Sequence, residues 1–193
     1  MTTRRIIVGI SGASGTAYGV RALELMNTID DIETHLVVTP AARQTLGIET
    51  DMTASELEAL ADNVHGVRDI AAPIASGSFP ASGMIVAPCS IKSLSAIAQS
   101  FSADLLARSA DVTLKERRPL VLLVRETPFH LGHLRLMAQV TEMGAIVHPP
   151  IPAFYTRPTT VEEIIDDSVG RALEHLGVEV DGIRRWEGPP RSE

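Results

Sequence analysis

The sequence predicts an α/β domain in which a parallel sheet is covered by helices on both faces, and three observations carry that expectation. Short, almost wholly apolar, β-branched runs alternate with longer amphipathic stretches, the pattern of strands buried on both faces and helices buried on one. No apolar stretch approaches the roughly 18 residues of a membrane span. The 193 residues, 45% hydrophobic and 21% charged, suffice for one ordinary domain with its own core, which excludes disorder as a description of the whole.

Taken in order, strands are expected at Arg5–Ile10, Glu33–Val38, Gly83–Ala87, Leu120–Val124 and Ala145–Val147. Helices are expected at Thr16–Asn27, Pro40–Leu46, Ala54–Asp62, Ile91–Gln99, Asp104–Arg117, Leu131–Met143 and Val161–Leu176. Pro40 stands where a first helical turn tolerates it, and Thr53-Ala54-Ser55-Glu56 reads as a capping box. Two stretches rich in Pro, Gly and small residues, Asp69–Pro80 and His148–Pro158, are expected to be irregular. One α/β domain is expected over residues 1–178, with 179–193 as a tail that can order over the active site. With seven aromatic residues in all, the core must be aliphatic.

Charge and cysteine usage narrow the function. Seventeen cations against 24 carboxylates leave a net charge of −7, which argues against a surface built to neutralise nucleic acid. Asp104–Arg135 departs from that balance, with six cations against four acids. The single cysteine, Cys89, rules out an intrachain disulfide framework and a cysteine-rich zinc site, so a reducing, cytoplasmic setting is expected. The apolar run that opens the chain is broken at once by glycine and serine, unlike a signal peptide.

Three loops are candidates for chemistry. Gly9-Ile10-Ser11-Gly12-Ala13-Ser14-Gly15-Thr16 joins a strand to a helix, a context in which glycines admit an anion and a helix start offers amides. Its spacing is not G-x-G-x-x-G, and Val37-Val38-Thr39 lacks the acid that grips an adenosine ribose, so a mononucleotide fits better than NAD. A second such loop, Pro88-Cys89-Ser90-Ile91-Lys92-Ser93, follows the Gly83–Ala87 strand, and its serines also read as helix caps. Val124-Arg125-Glu126-Thr127 places an Arg and a Glu at the same rim, where ligand contact explains them better than packing. His130 and His133 lack a convincing third ligand and read as caps, and no metal is implied.

Together these segments resemble the flavin prenyltransferases, the UbiX/Pad family. GISGASG, ETHLVVTPAARQTL, SGSF, APCSIKSLS, ARSADVTLKERRPLVLLVRETP, HLRLM, PPIPAFY and RRW all fall in family order over nearly the whole chain. The resemblance implies a Rossmann-like three-layer α/β/α domain, FMN as the bound flavin, and a homododecamer with active sites where subunits meet. It implies transfer of a dimethylallyl group from dimethylallyl phosphate to N5 and C6 of reduced FMN, the prenylated FMN serving a UbiD-type decarboxylase. By motif, Gly12, Ala13, Ser14, Thr39, Ser90, Ile91, Lys92, Ser93 and Arg125 fall to the flavin. Tyr155 and Arg171 fall to dimethylallyl phosphate, with Arg108, Lys115 and Glu126 at its phosphate end, some from a neighbouring subunit. Glu49 and Ser14 match residues that handle protons near the ring, and Trp186 matches an aromatic beside the prenyl chain. The chemistry agrees, because ionising an allylic phosphate needs cations on the departing oxygens and π-faces for the developing carbocation. Two other readings stand beside this one: an FMN-dependent cysteine-type decarboxylase, whose Pro-x-Ser-Ala-Asn stretch is absent, and a non-catalytic flavin-carrying accessory subunit.

Overall fold

The computed structural model describes residues 3–183, 185, 186 and 188. Along the chain run β1 (Arg4–Ile10), α1 (Thr16–Met26), β2 (Ile32–Val38), α2 (Pro40–Glu49), α3 (Ala54–Glu58), β3 (Asn63–His65) and β4 (Ala81–Cys89). There follow α4 (Ile91–Ala98), α5 (Leu105–Lys115), β5 (Leu120–Val124), α6 (Leu131–Glu142), β6 (Ile146–Val147) and α7 (Val161–Glu174), with 3₁₀ turns at Pro73–Ala75 and Phe154–Thr156. All pairings are parallel, in the order β3-β2-β1-β4-β5-β6.

The apolar runs form central strands because both of their faces are covered. Ile6, Val8 and Ile10 of β1, with Ile85 and Ala87 of β4, meet Leu23 and Met26 of α1 and Val169 and Leu173 of α7 on one face. Ile7, Met84 and Val86 meet Leu94 and Ile97 of α4 and Leu106 and Ala110 of α5 on the other. A fully buried Ile or Leu of this kind contributes about 2 kcal/mol relative to exposure. As expected, the buried apolar residues among those described are all aliphatic apart from the two sulfur-bearing types, Met and Cys.

Two sequence expectations are corrected. The helix expected at Ala54–Asp62 stops at Glu58, and a sixth, three-residue edge strand, β3, follows it. That strand is polar and partly exposed, so it lacks the apolar run that marks the others; it is held by backbone pairing to β2 and by Asn63 donating to Glu33. The capping box is present, Thr53 and Glu56 bonding each other's amides. Among the described residues no helix is long and apolar enough to cross a membrane. Of the expected 179–193 tail, residues 184, 187 and 189–193 lie outside the described residues.

Candidate functional site

Because the strands are parallel, their carboxyl ends share one rim, and the strand order reverses between β1 and β4, where open sheets form a crevice for ligands. Ser11 ties the two sides together. Its buried hydroxyl donates to the Pro88 carbonyl (2.9 Å) and accepts from the Ser90 amide (2.7 Å). Sequence reading missed this serine, since nothing in the glycine turn distinguishes it from its neighbours. The peptide bonds before Pro88 and Pro128, both on this rim, are cis.

The glycine turn differs from an empty anion cradle. The Glu49 carboxylate, at the end of α2, accepts from the Gly15 amide at 3.0 and 2.9 Å, the Thr16 amide at 3.0 Å and the Thr16 hydroxyl at 3.0 Å. The amides expected to await a ligand are therefore capped by the chain's own acid. Burial pushes the Glu49 carboxyl up, but hydrogen bonds from Ser14, Thr16 and Gly15 outweigh it and hold the group below the usual carboxylate range. Glu49 and Ser14, paired by the resemblance, thus meet across 35 positions of chain. Gly12 serves packing: a Cβ there would stand 2.3 Å from the Ala41 Cβ, so only glycine lets the turn lie against α2.

Thr39 and Ser90 start the helices that face this crevice. Thr39 caps α2 by accepting from the Ala42 amide at 3.2 Å, and its own amide donates to the Ile10 carbonyl. Ser90 caps α4 by accepting from the Ser93 amide at 3.3 Å, and its hydroxyl also donates to that of Ser93. A helix start leaves its first amides without carbonyl partners, so those of Ile91 and Lys92 have none within the helix. A cleft of about 590 Å³ is lined by Pro40, Lys92, Ser93, Phe101 and Asp104, among others.

Farther along the rim a cleft of about 400 Å³ brings Arg125 and Glu126 together with Tyr18, Phe129 and the Pro149–Ile151 stretch. The Glu126 carboxylate accepts the Thr127 amide at 3.0 Å. Tyr18 was not among the residues singled out from the sequence; its signal was scarcity, one of two tyrosines and on the first turn after the glycine loop.

The remaining expected residues stand elsewhere in the single chain. Arg108 donates to the Ala75 carbonyl (3.1 Å) and pairs with Asp111. Lys115, at the end of α5, pairs with Glu116 and shares a cleft with Glu142 and Met143, residues that lead into β6. That places Lys115 at the amino-terminal edge of the sheet, opposite the rim. Arg171 pairs with Glu174, which also holds Arg185. Tyr155 and Trp186 meet edge to face, centroids 5.7 Å apart. Cys89 is fully buried, and burial pushes its thiol up to about 12, which removes it as a nucleophile. His130 caps α6, accepting from the Gly132 amide. Arg118, just beyond α5, donates to the Phe79 and Gly77 carbonyls and pins the SGSF loop. Two further clefts along α7 take in none of the expected site residues.

A family model described as flavoprotein matches residues 1–173. The flavin prenyltransferase UbiX of Escherichia coli (strain K12) is 57% identical over 187 residues, covering 96% of this chain and 99% of that protein. The crystal structure of AnUbiX in complex with FMN and dimethylallyl pyrophosphate matches with a TM-score of 0.94 and 48% identity, over 96% of this chain and 98% of that one. A dodecameric FMN-dependent UbiX-like decarboxylase from Escherichia coli O157:H7 matches with a TM-score of 0.94 and 44% identity, over 95% and 100% of the two chains.

Proposed function

Since the chain belongs to the flavoproteins and, within them, to the flavin prenyltransferase family, we propose that it joins a dimethylallyl group from dimethylallyl phosphate to reduced FMN. The observation that supports this best is identity of 57% over 96% of the chain with a flavin prenyltransferase, itself covered to 99%.

The rim suits FMN. Hydroxyls of Thr39, Ser90 and Ser93, the first amides of α4 and the Lys92 ammonium offer the donors a phosphate needs. The adjoining cleft of about 590 Å³ falls in the range of cofactor sites. Gly12, Ala13, Ser14, Ile91 and Arg125 complete the flavin set in this reading. When bound, reduced FMN supplies the ring atoms N5 and C6 that receive the five-carbon unit. The protein's tasks are then to bind, orient and move charge. Glu49, held ionised by its amide and hydroxyl donors, is a proton acceptor with Ser14 beside it. Arg108, Lys115, Arg171 and Glu126 form the phosphate end, where cations stabilise the departing oxygens. Tyr155 and Trp186 bound the prenyl chain.

This assignment requires neighbouring copies, because Lys115 and Glu126 lie at opposite ends of one chain's sheet; a dodecamer like that of the Escherichia coli relative supplies them. The prenylated flavin passes to a UbiD-type decarboxylase, and the reaction belongs in the cytoplasm.

The test is anaerobic incubation of the purified protein with reduced FMN and dimethylallyl phosphate, or the diphosphate, then mass analysis of the extracted flavin. A gain of one C5H8 unit is the expected result. A flavin unchanged with both donors refutes the reading.

A further inference from the structure

The cleft beside Arg125 contains an aromatic ring to which nothing above assigns a task. Tyr18 is half-buried, and its ring lies against Gly15: a Cβ at that glycine would stand 2.7 Å from the Tyr18 Cε2. Gly15 also has φ +100°, so its backbone and the room it leaves both call for glycine, and the ring's position follows from the turn. The Tyr18 amide donates to the Gly15 carbonyl at 3.0 Å, which ties the residue's backbone to the turn that carries Ser14 and receives Glu49. The other side of the cleft is Arg125 and Glu126, with Phe129 and Ile151 as apolar wall. Arg125 donates no side-chain hydrogen bond and forms no ion pair among the described residues, leaving its charge available to the flavin to which it is assigned above.

We propose that Tyr18 is the aromatic wall of the subsite that holds the five-carbon allyl chain, set between Ser14–Glu49 on one side and Arg125–Glu126 on the other. The inference rests on the prenyl-transfer reading and deepens it. The five-carbon chain of an allyl phosphate is apolar, and Tyr18, Phe129 and Ile151 give this cleft an apolar wall beside Glu126, which is assigned above to the donor's phosphate end. As transfer begins, the C1–O bond breaks and its electron pair leaves with phosphate, while the acceptor's electron pair forms the new bond to C1. Positive charge then spreads over the allyl carbons, and a ring face within about 6 Å attracts it. Tyr18 forms and breaks no bond. Burial raises its phenol above the ordinary value, against the smaller opposing pull of Arg125, so no phenolate stands beside the departing phosphate. Tyr155 and Trp186 are placed differently: 50% and 62% exposed in the single chain, they face one another.

The test uses protein loaded with oxidised FMN, which binds the donor without turnover, and with reduced FMN, which turns over. Calorimetry measures the affinity of dimethylallyl phosphate for the oxidised form, and flavin mass analysis measures kcat in the reduced form. Tyr18→Phe is expected to keep both within about twofold. Tyr18→Leu is expected to lose about tenfold in kcat, from the loss of a ring–cation contact made only as the C1–O bond breaks, and several-fold in donor affinity, from the loss of the ring's apolar contact with the neutral chain. FMN affinity is expected to stay unchanged in both. Tyr18→Met repeats the comparison if Leu lowers the folded yield. Wild-type protein that transfers, with Tyr18→Leu equal to it in kcat and donor affinity, overturns the Tyr18 assignment alone. An FMN affinity that falls as far as the donor's also overturns it, by placing the ring on the flavin. Wild-type protein that leaves the flavin unmodified overturns the transfer reading, and this inference with it.

Discussion

Replacing Glu49 by Gln separates the two tasks that the structure and the proposed chemistry give this side chain. Oε2 accepts from the Gly15 amide, the Thr16 amide and the Thr16 hydroxyl, all at 2.9–3.0 Å, and Oε1 shares the Gly15 donor. A glutamine can put its one oxygen where Oε2 stands and keep three of these contacts, losing the charge and the second acceptor. Charged acceptors bond about twice as strongly as neutral ones, and a carboxylate at a helix start is worth about 0.3–1 kcal/mol at the surface. Glu49 is solvent-exposed, so screening keeps the loss within that range, about 1 kcal/mol at most. For a chain of this size that lowers Tm by about 2–4 °C. Catalytically, losing a positioned proton acceptor costs about 10²- to 10⁴-fold. The expected outcome for Glu49→Gln is therefore a small Tm loss by circular dichroism, FMN binding largely intact and formation of the new ring blocked. The Tm difference also depends on pH. Because the folded carboxyl titrates below its ordinary value of 4.5, its stabilisation is complete above that pH and is lost as pH falls through the folded value. Wild type and variant should thus differ by a constant amount from pH 8 to 5.5 and converge in acid. A variant as stable as wild type at pH 7 would refute the capping argument, and loss of FMN binding would show that Glu49 acts through the flavin loop.

Gly12→Ala should cost about 1–3 kcal/mol by overpacking against Ala41 and should weaken FMN binding by displacing the turn; adding Ala41→Gly should recover at least about 1 kcal/mol of stability, and strict additivity in melts of the double variant argues against the contact. Cys89 should resist thiol reagents in the folded protein and react once denaturant unfolds it; rapid labelling of native protein contradicts its burial. Burial lowers His35, His65 and His148 below their ordinary 6.5, with the neighbouring His65 and Arg5 adding to it at His35, and His175 and Arg171 at His148. The unfolded chain then binds more protons below about pH 6.5, so Tm should fall as pH drops from 7 towards 5, and a flat profile refutes this.

The legible part of the fold was the part whose burial writes itself as a run. Leu120–Val124 appears with the same bounds in sequence and structure because all five residues are buried. The Asn63–His65 strand was missed because it is held by backbone pairing and polar neighbours, which leave no apolar signature. The caps at Thr53 and Ser90 were also legible because they are local, each accepting from an amide three residues on; Thr39 and Asp104 cap in the same way but were not read as caps.

The site divides in the same way. The order of motifs named the family, and with it the residues worth asking about, because a motif is contiguous and its chemistry lies in its composition. No run of sequence could place Glu49 on the Gly15 and Thr16 amides, join Ser11 to Pro88 and Ser90 across 77 and 79 positions, or set Tyr18 opposite Arg125. Those contacts exist because parallel pairing brings the ends of β1, β4 and β5 to one rim, and α2 carries Glu49 back to it. For the same reason only the tertiary structure decided that Lys115 lies at the far edge: α5 runs from the rim to the start of β5, and its last residue goes with it.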